Sequence, residues 1–208
     1  MSTSVNEAAP AVDDDQRREA LSRFEGIYES HYRALTAYAR RRTSDAGDAQ
    51  DVVAETFTIA WRRMAEVPAG DAALPWLYGV ARRVLSNQRR STRRRNDLSG
   101  RLGAQPAGTA ELEGEVIASD ERRTVLAALS RLRGSDQEIL RLAVWEELPH
   151  REIARVVGCS ESSVAVRLHR ARSRLGREIG KEERRVGHGL PEGPDPEGPE
   201  RRAEGRER

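Results

Sequence analysis

Apolar residues recur along this 208-residue chain at three- and four-residue steps in several separate runs, which predicts an all-α protein. Phe24, Ile27, Tyr28, His31, Tyr32, Leu35 and Ala39 form the first stripe. Arg40 to Arg42 close it, where cations favour a helix C-terminus. Ser44-Asp45-Ala46-Gly47 breaks the pattern. A second helix carries Ala49, Val52, Val53, Thr56, Phe57, Ala60, Trp61 and Met64 on one side. Pro68 to Asp71 reads as a loop. A third helix begins around Leu74-Pro75, with proline suited to a first turn, and buries Trp76, Leu77, Val80, Ala81, Val84 and Leu85. Eight of the nine aromatic residues fall between Phe24 and Tyr78, which assigns an aromatic core to this module.

A second set of stripes follows. Val125, Leu126, Leu129 and Leu132 predict one helix, to which Glu111–Asp120 can contribute a start. Gly134-Ser135-Asp136 reads as a stop and a new cap. Ile139, Leu140, Leu142, Ala143 and Trp145 predict the next helix. From Pro149 to Leu175 two helices are separated by a tight turn, the pattern of a helix-turn-helix. Ile153, Ala154 and Val157 face inward on its first helix. Gly158 supplies the turn, since it takes positive φ without steric cost. Ser160 can cap the second helix, whose buried stripe is Val164, Leu168, Ala171 and Leu175. The organisation expected is a disordered tail at 1–16, a helical module at 17–95, a flexible linker at 96–118, a helix-turn-helix module at 119–180, and a disordered Gly/Pro/charged tail at 181–208.

Charge changes the picture more than composition does. Charged residues make up 34% of the chain and mean hydropathy is −0.73, which argues for two small helical bodies over one large core. The net charge is only +2, but no acid stands between Asp71 and Asp97, where Arg82, Arg83, Arg89, Arg90 and Arg93 to Arg95 gather. Such a basic strip either contacts nucleic-acid phosphates or is simply solvated. An aromatic beside it, such as Trp76, either stacks an unpaired base or belongs to the core. The single cysteine, Cys159, excludes an intramolecular disulfide and reads as a small turn residue. No signal peptide or membrane span is visible, so the expected location is cytoplasmic, without membrane insertion. The scattered histidines offer no metal site, and no catalytic residue or cofactor-binding motif is found.

On the second helix of the helix-turn-helix, Ser162, Ser163, Ala165, Val166, Arg167, Arg170 and Arg174 face outward or sideways, with His150 and Arg151 at the start of the first. The N-terminal ones are placed for base edges and the arginines for phosphates. On the second helix of the chain, Asp48, Asp51 and Glu55 share a face. A solvated face or a protein-docking edge would look alike from spacing alone.

DAGDAQDVVAETFTIAWRRM, followed by LPWLYGVARRVLSNQRR, resembles the second conserved region of a group IV, or extracytoplasmic function (ECF), sigma factor. LSRLRGSDQEILRLAVWEELPHREIARVVGCSESSVAVRLHRARSRL resembles the fourth region. The resemblance implies that Asp48, Asp51, Ala54 and Glu55 dock on the β′ clamp helices of core RNA polymerase. The family usually has Gln where Ala54 stands. It implies that the loop from about Glu66 to Leu74 opens the −10 promoter element, with Arg62, Arg63, Trp76, Arg82, Arg83, Asn87 and Arg90 as contacts. Arg83 replaces a frequent Asn, adding charge. It implies that His150, Arg151, Ser160, Ser162, Ser163, Ala165, Val166, Arg167, Arg170 and Arg174 face the −35 element. Ala165 and Val166 are less polar than the family pattern; their methyl groups either meet a thymine methyl or reduce contacts. The partners implied are core RNA polymerase, through β′ and β, and promoter DNA. The family is commonly held by an anti-sigma factor, though no residue here marks one. The expected function is promoter-specific initiation of transcription by a non-enzymatic subunit. The alternative is a stand-alone helix-turn-helix regulator.

Overall fold

The computed structural model describes residues 11–98 and 120–187. Among these residues the fold is all-α, as expected, with no strand. The helices are α1 (Ala11–Arg40), α2 (Ala46–Arg62), α3 (Ala73–Leu98), α4 (Asp120–Ser130), α5 (Gly134–Val144), α6 (His150–Val157) and α7 (Glu161–Gly187). Two short 3₁₀ turns, Met64–Glu66 and Gly70–Ala72, bridge α2 and α3.

The first three helices pack as a bundle around Leu35, Tyr38, Val52, Phe57, Leu77 and Ala81, all buried. Asp45 starts α2 by accepting the Asp48 N–H at 3.1 Å. The buried Thr56 hydroxyl is satisfied by the Val52 carbonyl at 2.6 Å. In the second body, α4, α5 and α6 close on α7 through Leu129, Ile139, Leu142, Ile153 and the stripe Val164–Leu168–Ala171.

Several boundaries differ from expectation. Helix α1 begins at Ala11, so residues 11–16 are helical; carboxylates in its early turns favour the helix dipole, and Arg18 pairs with Asp15 at 2.8 Å. Helix α3 continues through residues 96–98, and α7 runs on through 181–187. The α7 extension is held by Lys181–Glu178 at 2.6 Å and by Arg131, which reaches Glu182 from beyond the end of α4. The rest of the expected linker and tails, 1–10, 99–118 and 188–208, lies outside the described residues. Helix α5 already begins at Gly134 with no side-chain cap, so Asp136 lies inside its first turn, where its carboxylate pairs with Arg174. Trp145 ends α5 half outside the core, 37% exposed, beside the guanidinium groups of Arg141 and Arg41.

The two helical bodies are packed on each other. At the end of α1, Tyr38 Oη donates to Glu138 Oε1 at 2.9 Å, and Arg42 Nε donates to Glu138 Oε2 at 3.0 Å. Arg42 Nη1 reaches Glu146 Oε1 at 3.0 Å, and Arg41 pairs with the other oxygen of Glu146. The side chains of Arg42 and Glu146 are only 1% and 2% exposed. The Arg42 guanidinium lies 3.5 Å from the centre of the Tyr38 ring, which stacks on Tyr78 at 4.6 Å. Burial, followed by the neighbouring Glu138 charge, holds the Tyr38 phenol well above its ordinary pKa. Arg141 is pushed down to about 10, first by burial and then by the Arg42 charge. Alongside, α3 meets α6 where Gly79 faces the Val156 backbone. This contact explains why Val156 is buried while Val157, expected inward, is only half-buried.

Removing one partner of a buried ion pair strands the other charge, at a cost of about 3–5 kcal/mol. Glu146→Ala is therefore expected to loosen the joint, leaving Arg42 one carboxylate short. Small-angle scattering should show a larger radius of gyration, with helicity by circular dichroism unchanged. An unchanged radius would contradict the account of the joint.

Candidate polymerase and nucleic-acid interfaces

Asp48, Asp51, Ala54 and Glu55 are all exposed on α2, and the three acids share one face. Ala54 also lines a groove of about 540 Å³ between α1 and α2, walled by Phe24, Tyr28, Tyr32, Phe57 and Trp61. The rings pack in a ladder: Phe24–Trp61 at 5.4 Å, Tyr28–Phe57 at 4.7 Å and Tyr28–Tyr32 at 5.1 Å. Tyr28, Tyr32 and Trp61 remain 41%, 38% and 40% exposed. They do not fill the core that their periodicity predicts; they form an uncovered wall. An apolar surface of this kind next to carboxylates suits a helical partner with an apolar ridge and basic flanks.

The basic face lies elsewhere. Arg62, Arg83, Asn87 and Arg90 are exposed, and Arg82 is half-buried. Asn87 accepts from Arg90 Nη2 at 2.8 Å, which joins the two on one outward face of α3. Arg63 is exposed but engaged with Glu66, through Nε to Oε1 at 2.8 Å, and this hydrogen bond lowers the Glu66 carboxyl pKa. Trp76 is half-buried and packs against the core, which favours the core alternative for most of its ring. Arg23, which sequence patterning does not single out, reaches from α1 to the Met64 and Val67 carbonyls. It thereby holds the start of the α2–α3 connection in place.

The helix-turn-helix has the expected turn. Gly158 takes φ +72° and ψ +48°, and its N–H returns to the Ala154 carbonyl. Ser160 accepts the Ser163 N–H at 3.3 Å and caps α7; its hydroxyl also lies 3.1 Å from that of Ser162 and 2.8 Å from that of Ser163. His150, Arg151, Ser162, Ala165, Val166, Arg167 and Arg170 are exposed, and Ser163 is half-buried. Arg167 and Arg170 form no ion pair among the described residues. Arg174 does: its Nη1 lies 2.5 Å from Asp136 Oδ2, tying α7 to α5 and withdrawing Arg174 from the outward face.

Known families match both helical bodies. The family profile "Sigma-70 region 2" matches residues 27–95, and "Sigma-70, region 4" matches 122–175. The ECF RNA polymerase sigma factor SigL of Mycobacterium tuberculosis is 34% identical over 150 residues, 70% of this chain and 82% of that protein. The chain belongs to the ECF sigma factors. The RNA polymerase sigma factor YlaC of Bacillus subtilis is 29% identical over 166 residues, covering 78% and 96% of the two chains. The fold is shared with the sigma factor RpoE, solved with the anti-sigma factor NepR from Bartonella quintana, at a TM-score of 0.55 and 24% identity over 80% of this chain and 97% of that one. It is also shared with CnrH in complex with the cytosolic domain of CnrY, at a TM-score of 0.54 and 22% identity over 76% and 88%.

As an ECF sigma factor the protein binds core RNA polymerase and directs promoter-specific initiation of transcription. No helix among the described residues is long and apolar enough to cross a membrane. Side-chain capping contributes about 1 kcal/mol to a sigma-factor helix as to any other. Ser160→Ala is expected to lower stability by about that amount in denaturant unfolding; no change would mean the cap contributes nothing.

Proposed function

We propose that the two helical bodies of this sigma factor divide the promoter between them while α2 holds the polymerase. Asp48, Asp51 and Glu55, together with the aromatic groove beside Ala54, dock the β′ clamp helices. The exposed Arg62, Arg83, Asn87 and Arg90, with the α2–α3 connection, engage the −10 element. The N-terminal half of α7, with His150 and Arg151, reads the −35 element. The chain performs no covalent chemistry itself and works in the cytoplasm. An anti-sigma factor, such as the one solved with the similar RpoE, would compete for these same faces.

The observation that supports this division best is the segregation of surfaces. Acids and aromatics share the α1–α2 side, while exposed arginines lie on α3 and on the outward face of α7. By their numbering the two elements lie about 25 base pairs apart, or roughly 85 Å at 3.4 Å per pair. The longest helix, α1 with 30 residues, is only about 45 Å long, and a compact body of this size is about as wide. Both elements cannot be held while the bodies stay joined. The 21 residues of 99–119 can span at most roughly 70 Å. Parting of the joint therefore accompanies promoter binding.

Glu55→Lys is expected to weaken core-polymerase binding at least tenfold and to spare binding of duplex −35 DNA. Arg167→Ala should do the reverse, and lower the salt slope of DNA binding by about 0.9. Unchanged polymerase binding by Glu55→Lys in a pull-down would refute the docking face. Equal loss of both activities in Arg167→Ala would refute its role on DNA.

A further inference from the structure

Val166 is half exposed on α7, with 50% of its surface open to water. At about 100° per residue it lies roughly 200° from both Val164 and Leu168, directly opposite the buried stripe. Its neighbours on that face are Ser162 one turn before and His169 and Arg170 one turn after, all polar and exposed. Ala165 sits about a quarter-turn to one side, so the two small apolar residues do not act as a pair. Arg167 and Arg170 remain free for phosphates near Val166, and the Ser160–Ser162 hydroxyl contact ties the polar groups of the first turn to one another.

Local physics does not favour valine here. It is a weaker helix former than alanine or arginine, and it is no part of the core. Its β-branched side chain is nearly fixed about χ1 in a helix, so it presents two methyl groups in one direction at little entropic cost. A single aliphatic group centred in a polar, cationic stripe is too small a patch for a protein partner. The duplex major groove, by contrast, displays an isolated apolar group at one kind of position, the thymine C5 methyl.

We propose that Val166 is a specificity-determining residue that recognises the C5 methyl of one thymine in the −35 element. This rests on α7 being the −35-reading helix. The two claims fail in different ways.

The test uses holoenzyme, assembled from the full chain and core polymerase, transcribing a duplex promoter library randomised over the upstream element. Each thymine in the enriched element is then replaced singly by deoxyuridine, which removes only the methyl group. One replacement is expected to lower transcript yield about fourfold, the effect of leaving one methyl-sized contact unmade. Val166→Ala should lower yield on the thymine promoter by a similar factor and lose no more on the deoxyuridine one. Val166 is exposed and alanine is the better helix former, so this variant is expected to unfold at or above the wild-type midpoint. An enriched element in which no thymine methyl matters, or a deoxyuridine penalty undiminished in Val166→Ala, overturns the role of Val166 alone. Enrichment of no upstream element overturns the assignment of α7 as well.

Discussion

The structure depends on a buried guanidinium. Arg42, at the end of α1, is closed off from water between Glu138 and Glu146 and laid over the Tyr38 ring. Desolvating these charges is costly, and their attraction offsets the cost only because the geometry is good. Around them the match is incomplete: Arg42 Nη2, Arg41 Nε and Arg141 Nε are buried and meet no acceptor among the described residues. Arg89 adds a fourth guanidinium, donating to the Arg42 carbonyl at 2.9 Å. A joint in which the buried Arg42 and Arg141 and the half-buried Arg41 share two carboxylates, with Arg89 at its exposed edge, is specific about how the bodies dock, yet gains from re-exposure to water. Those are the properties wanted in a contact that, in the proposed cycle, holds before promoter binding and parts during it.

Closing the joint leaves the working faces open. The N-terminal part of α7 and the aromatic groove between α1 and α2 are exposed in the joined body. The groove follows from packing geometry. Phe57 turns inward and carries Phe24, Tyr28 and Tyr32 against it, so only part of each α1 ring can be covered by α2. The remaining ring faces are left uncovered. Arg23, bonded to the Met64 and Val67 carbonyls, links this side of the bundle to the segment that precedes α3.

What was legible in the sequence is what local chemistry determines. Gly158, Ser160 and the Val164–Leu168–Ala171 stripe lie within a few residues of one another, and each has one physical reading. The cap at Asp45 and the break before α2 are local in the same sense. The joint was not legible, because Tyr38, Arg41 and Arg42 meet partners about 100 residues further along the chain. At sequence level those arginines only close a helix. The aromatic ladder misled for a related reason: periodicity marks which residues share a face, but not whether a neighbouring helix covers it. Val157 was likewise misplaced, because α3 covers the neighbouring Val156 instead, and the Arg174–Asp136 pair joins residues too far apart in sequence to be foreseen.

The central claim is that one chain exists in two arrangements, joined through Arg42 and parted on the promoter. Spin labels at Ser30→Cys on α1 and Ser173→Cys on α7, both exposed sites, report the distance between the bodies once Cys159→Ala removes the native thiol. Pulsed electron resonance on the free protein should give one distance, and on the holoenzyme–promoter complex a distance longer by on the order of 40 Å. The same distance in both samples would contradict the account.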